Sequence, residues 1–233
     1  QIYILQDFGL LDYLQYDGYA YRLVPILTPV QNAYEIGRVD VDYTLPLVRD
    51  TFRYGNLNDP RVYVDYFLQY NLGASRTREM FARVGKELLR EGRVEEAVEL
   101  LDMGLEKFPT SQIRFTDMNT YPYIEGYYAA ASMGAEGAAE KGDALLREYA
   151  TTLIEYIEYY FRFDGVLGDM VSDVIDTKLT ELGDIYSLAS YAGRRDVVAE
   201  INEYYRSLGV SEEYLTDVGD KPQGADSTAG MQP

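Results

Sequence analysis

Arg76, Arg78, Arg83, Lys86, Arg90 and Arg93 gather six cations beside three carboxylates (Glu79, Glu87 and Glu91), within a chain whose formal charge is -18. On a helix, Glu79, Lys86 and Arg90 take the offsets that line the concave side of a helical hairpin repeat. The same offsets further along select Tyr123 and Tyr127, and then Asp184. A groove of that composition could hold an acidic peptide, a phosphate or a carboxylate through charge-assisted hydrogen bonds. Its tyrosines could stack on a sugar ring while their hydroxyls bond nearby. The plainer alternative is a solvated helix face with local ion pairs. Tyr149, Tyr156 and Tyr160 recur at helical spacing and read as core residues rather than ligand contacts.

Asp40 and Asp42 alternate on an extended segment, so both would point to one face, where a hard cation such as calcium could sit. No recognisable loop supplies further ligands, and Asp164–Asp176 does not follow the calcium-binding helix-loop-helix spacing. These carboxylates therefore read as surface charges, and no cofactor is expected. The chain has no histidine and no cysteine. It lacks the usual general base near neutral pH, the commonest metal ligand and any thiolate chemistry. Tyrosine, by contrast, reaches 24 residues, with no tryptophan. The acidic balance of 39 to 21 repels nucleic-acid phosphates and anionic lipid head groups. No nucleic-acid partner is expected. No apolar run approaches the ~18 residues that would cross a bilayer, so no direct membrane insertion is expected. Gln1–Leu5 lacks the basic flank and apolar stretch of a signal peptide. The first residue is not Met, which suggests a piece of a longer protein.

The elements that must position these side chains are mostly helices. Between Arg78 and Pro109, the residues Phe81, Val84, Gly85, Leu88, Ala97, Leu101, Gly104 and Pro109 sit at tetratricopeptide-repeat offsets. The first helix should run from a Ser75 or Thr77 cap to Leu89, end at Gly92, and be followed by a partner carrying Val94, Ala97, Leu101, Leu105 and Phe108. A looser second unit pairs Tyr121–Met133 with a long helix from Ala138 to Phe163, broken by Gly165 and Gly168. A third begins near Asp169, repeats the spacing at Leu179, Leu182, Gly183 and Tyr186, and ends its first helix at Gly193. Ahead of the repeats the spacing predicts a short helix over Asp7–Tyr16 and a strand over Tyr19–Ile26. A loop then begins at Pro29, and a helix follows over Tyr43–Tyr54 with Pro46 in its first turn. After a turn at 55–60, an extended segment from Tyr63 to Leu72 is expected. The expected fold is mainly α, divided into an N-terminal cap of short mixed elements (1–74), a tetratricopeptide-like region (75–208) and an acidic, disordered tail (209–233).

The string Phe8-Gly-Leu-Leu-Asp-Tyr-Leu-Gln-Tyr-Asp-Gly-Tyr-Ala-Tyr-Arg-Leu-Val-Pro25 and the segment Gly37-Arg-Val-Asp40 carry a family resemblance. With the Phe81–Pro109 hairpin, they resemble the C-terminal soluble part of bacterial multi-span membrane proteins similar to protein O-mannosyltransferases. The resemblance implies a chain on the periplasmic side of the inner membrane, attached to the membrane-embedded part of the same parent. In that family the acidic catalytic residue lies near the first spans, a region with no counterpart here, so no catalytic residue is carried over. The expected function is a non-catalytic accessory domain that binds or positions a polypeptide or glycan acceptor. The alternative is a purely structural or self-association domain without a ligand.

Overall fold

A computed structural model describes residues 8–28, 36–70, 73–114 and 117–208. The fold is mainly α-helical, with a small three-stranded sheet near the N-terminus. The tail assigned to 209–233 and the loop begun at Pro29 lie outside the described residues. Packing divides the chain at Leu145–Leu146, within one helix, instead of at 74/75. The N-terminal elements pack on the helix over Ala74–Arg90 and belong to the same compact unit.

In the first unit, β1 (Leu14–Tyr16) lies between β2 (Tyr21–Leu23), antiparallel to it, and β3 (Arg38–Val39), parallel to it. The β1–β2 turn places Gly18 at φ 85°, a left-handed position, and its missing Cβ leaves room for Phe52 and Met80. The Asp7–Tyr16 helix expected from sequence is instead a single 3-10 turn, Leu11–Tyr13, that runs into β1. Strand pairing with two neighbours outweighed the helical spacing of Leu11 and Leu14. The strings that carry the family resemblance thus supply all three strands.

Asp40 caps α1 (Val41–Pro46), its carboxylate accepting from the Tyr43 amide at 3.2 Å. Pro46 ends this helix instead of opening it, and the winding then widens into a π-type turn over Leu47–Thr51. Proline cannot donate to the helical ladder, so regular winding stops there. The extended segment expected over Tyr63–Leu72 contains α2 (Tyr66–Tyr70). The reason is local: the Asp65 carboxylate accepts from the Leu68 amide at 2.9 Å and starts a helix in a tyrosine-rich stretch.

α3 (Ala74–Arg90) and α4 (Val94–Lys107) form the predicted hairpin, and α5 (Asp117–Ser132) packs on both. Phe81, Val84, Leu88, Ala97, Leu100 and Leu101 are fully buried, each large side chain stabilising by about 1.5–3 kcal/mol. Gly85 lets Leu101 approach, and a Cβ at Gly104 would stand 2.8 Å from that of Phe81. No side chain caps α3. Its N-cap is Gly73, and Thr77 instead donates to the Gly73 carbonyl at 2.8 Å.

α6 (Ala138–Tyr160) begins in the first unit and continues into the second, which holds α7 (Gly165–Tyr191) and α8 (Arg195–Ser207). The helical spacing of Leu146, Tyr149, Leu153, Tyr156, Ile157 and Tyr160 makes one stripe of α6, in which Leu146, Tyr149, Leu153 and Ile157 are buried and Tyr156 and Tyr160 half-buried. Leu182, Ile185, Leu188 and Ala189 of α7 are buried, as are Val197, Ile201 and Tyr205 of α8. The long helix ends at Tyr160, and the chain is non-helical over 161–164 before Gly165, at φ 53°, starts α7; Gly168, expected as a second breaker, lies inside that helix.

Candidate functional site

The six expected groove residues do not share a surface. Tyr123 is fully buried and donates to the Arg78 carbonyl at 2.9 Å. Tyr127 is also buried and donates to the Asp102 carboxylate at 2.9 Å. Both are corrected from ligand contacts to core residues. α5 turns this face toward α3 and α4, where burial raises both hydroxyl pKa values above the ordinary tyrosine range. Arg90 is exposed and pairs with Glu87 at 2.8 Å, while Glu79 and Lys86 are half-buried on α3. Asp184 is exposed on α7 of the second unit.

The basic stretch is largely used within the fold. Arg78 is fully buried and donates to the Ile113 carbonyl. Arg83 donates to the carbonyls of Ile36 and Gly37, the latter at 2.6 Å, and stacks 4.1 Å above the Tyr16 ring. One guanidinium thereby fastens α3 to β1, to the residues just before β3 and, through the Tyr21 hydroxyl at 3.3 Å, to β2. Arg93 pairs with Glu96 at 2.7 Å and with Asp42 at 2.8 Å. Asp42 is thus an ion-pair partner and Asp40 a helix cap. Among the described residues, no three carboxylates group as a metal site would require.

A different feature emerges where two loops meet. Residues 60–64, Gln69 of α2, and Ser111, Gln112 and Arg114 after α4 line an open cleft of about 370 Å³. Gln69 joins its walls, donating from Nε2 to the carbonyls of Val64 at 3.2 Å and Gln112 at 3.1 Å. Gln112 in turn donates to the Asp59 carbonyl at 3.1 Å. With its amide nitrogen used in this way, Gln69 leaves Oε1 buried without a hydrogen-bond partner among the described residues. At the rim, Tyr63 is 84% exposed, and Arg61 chelates Asp59 through Nε at 3.0 Å and Nη2 at 2.6 Å. Hydrogen bonds from Arg61 hold the Asp59 carboxyl below the usual carboxylate range.

The cleft was not visible in the sequence. Its residues come from the end of the turn expected at 55–60, from the segment read as extended, and from the stretch that follows α4. The one available signal was Asp65, three positions before Leu68, as a helix cap within the tyrosine-rich run. Comparison with protein-family models, curated proteins and solved structures finds no match to this chain.

Proposed function

We propose that this chain is a non-catalytic accessory domain that binds or positions a polypeptide or glycan, and that the cleft beside Tyr63 is its contact site. The observation that carries this reading is an exposed aromatic ring, Tyr63, at the rim of a cleft with a partly polar lining. A sugar ring or a peptide side chain can lie on the Tyr63 face. Ser111, Gln112, Arg61 and Arg114 bring hydroxyl, amide and guanidinium groups to the lining beside Pro60, Val62 and Val64, a mixture suited to a ligand with polar oxygens and an apolar face.

The wider reading rests on the resemblance: a tetratricopeptide-like domain on the periplasmic side of a glycosyltransferase-like membrane protein, whose catalytic part lies elsewhere in the parent. Two packing features support the repeat reading. Gly85 and Gly104 admit Leu101 and Phe81 at close range, and the helical hairpins share one turn design.

Calorimetric titration of the chain with soluble oligosaccharides and with unfolded model peptides tests the proposal. One class should bind, and Tyr63→Ala should weaken that binding about tenfold without unfolding the chain. Binding of neither class, together with a concentration-dependent dimer in sedimentation, would favour the structural or self-association alternative.

A further inference from the structure

The second unit exposes apolar side chains where a helix normally buries them. Val166, Leu167, Met170 and Val174 lie on the first turns of α7, with Val166 76% and Met170 72% exposed. Val166, Met170 and Val174 are four residues apart, so they form one row along the helix, with Leu167 beside it. Asp169, Asp173 and Asp176 run parallel to that row, three residues out of step, and all three are exposed. Tyr159 and Phe161, about half exposed, extend the apolar character back through the preceding connection. Further along α7, Leu182, Ile185 and Leu188 are buried, so among the described residues the same helix passes from an exposed face to a packed one.

We propose that this face of α7 docks a basic amphipathic helical segment of another polypeptide. An apolar row edged by carboxylates complements a helix with apolar residues at i, i+3, i+4 and i+7 and lysine or arginine along its flank. Charge selects that occupant over the alternatives. A second copy would bring its own -18 and set carboxylate rows against each other. Residues 209–233 of this chain carry five acidic side chains and one lysine, so they have the same sign as the face. Anionic lipid is repelled for the same reason. Between Phe161 and Thr177 the sequence holds four aspartates against Arg162 alone. The face belongs to a different unit from the cleft, and the proposal does not rest on ligand binding there.

The probe is a leucine–lysine peptide patterned as an amphipathic helix, with a scrambled peptide of the same composition as control. Fluorescence anisotropy measures affinity for the whole chain, and hydrogen–deuterium exchange locates the contact. The patterned peptide should protect α7 amides around Val166–Val174 and bind at least about tenfold more tightly than the scrambled one. Met170→Glu should weaken it about tenfold, as should Asp169→Lys combined with Asp173→Lys, while Tyr63→Ala leaves it unchanged. These positions are exposed, so circular dichroism should show an unaltered fold. Equal affinity for both peptides, no binding, or protection located elsewhere would overturn the proposal. So would a dimer, or binding to phosphatidylglycerol vesicles, that Met170→Glu abolishes.

Discussion

The hairpin of α3 and α4 and the hairpin of α7 and α8 use the same turn. In the first, the Gly92 amide donates to the Leu89 carbonyl and the Arg93 amide to that of Leu88. In the second, Gly193 donates to Ser190 and Arg194 to Ala189. The glycines stand at φ 77° and 71°, and the following arginines at φ -89° and -83°. At the end of α5 the same pair of bonds recurs: the Gly134 amide donates to the Ala131 carbonyl and the Ala135 amide to that of Ala130. This is the glycine-terminated helix end that satisfies the last carbonyls. The two hairpins differ in the fate of their first helix. α3 packs against α4, α5 and the N-terminal elements, and its Arg78 and Arg83 are engaged within the fold. α7 is longer, buries only its second half, and presents an apolar row edged by carboxylates. One turn design therefore yields a closed scaffold element in one unit and an open face in the other. Whatever neighbours pack against the first helix decides which.

The contrast between the two hairpins is open to measurement. The largest effect is expected from Gly104→Val, because a Cβ there would meet Phe81 at 2.8 Å and the Tyr123 hydroxyl. Overpacking of this kind should cost about 3 kcal/mol, read as a shifted urea midpoint for the first unit with the second unit unmoved. Arg83→Met comes next, at about 2 kcal/mol, since it removes the bonds to Ile36 and Gly37 and the contact with Tyr16. Amide exchange should speed up in β1 and stay constant in α8. Gly92→Ala and Gly193→Ala should each cost about 1 kcal/mol, because both glycines hold left-handed φ values. Clearly unequal costs would mean that the two turns are not energetically equivalent.

Alkali should weaken the first unit. Burial raises the hydroxyl pKa values of Tyr16, Tyr54, Tyr123 and Tyr127 above the ordinary 10. Unfolded tyrosine ionises near pH 10, so the unfolded state releases these protons first. Stability present below about pH 10 then falls as pH rises further. Tyr204, in the second unit, is pushed up to about 12 by burial and adds to the same limb. Unfolding followed between pH 9 and 12 should show a shallower decline for Tyr123→Phe than for the natural chain. The smallest effect belongs to Met170→Ser: an exposed residue should change stability by no more than about 0.5 kcal/mol in thermal melts. A larger loss would mean that the α7 face is already covered.

Local signals in the sequence carried much of the fold. The spacing of Phe81, Val84, Leu88, Ala97 and Leu101 gave the central hairpin, and Gly92 and Gly193 marked the turns of two hairpins, because both signals depend on residues a few positions apart. The candidate sites were much less legible. Tyr123 and Tyr127 matched groove offsets, yet the face they occupy is covered by α3 and α4. A helical period identifies an apolar or polar stripe without identifying what lies against it. Gly165 and Gly168 looked like breakers and hid the row from Val166 to Val174, whose spacing of four was there to be read.

What the sequence determined by itself was the class of chain: helical hairpins, an acidic surface, and an inventory without histidine or cysteine. Tertiary structure alone decided which side chains are available. It placed the Arg83 guanidinium against carbonyls 46 and 47 residues away, and it joined Gln69 to Gln112 across 43 residues to form the cleft wall. The physical reason is that secondary structure is written in short-range spacing. Burial and hydrogen-bond satisfaction, by contrast, depend on partners that only folding brings within a few ångströms.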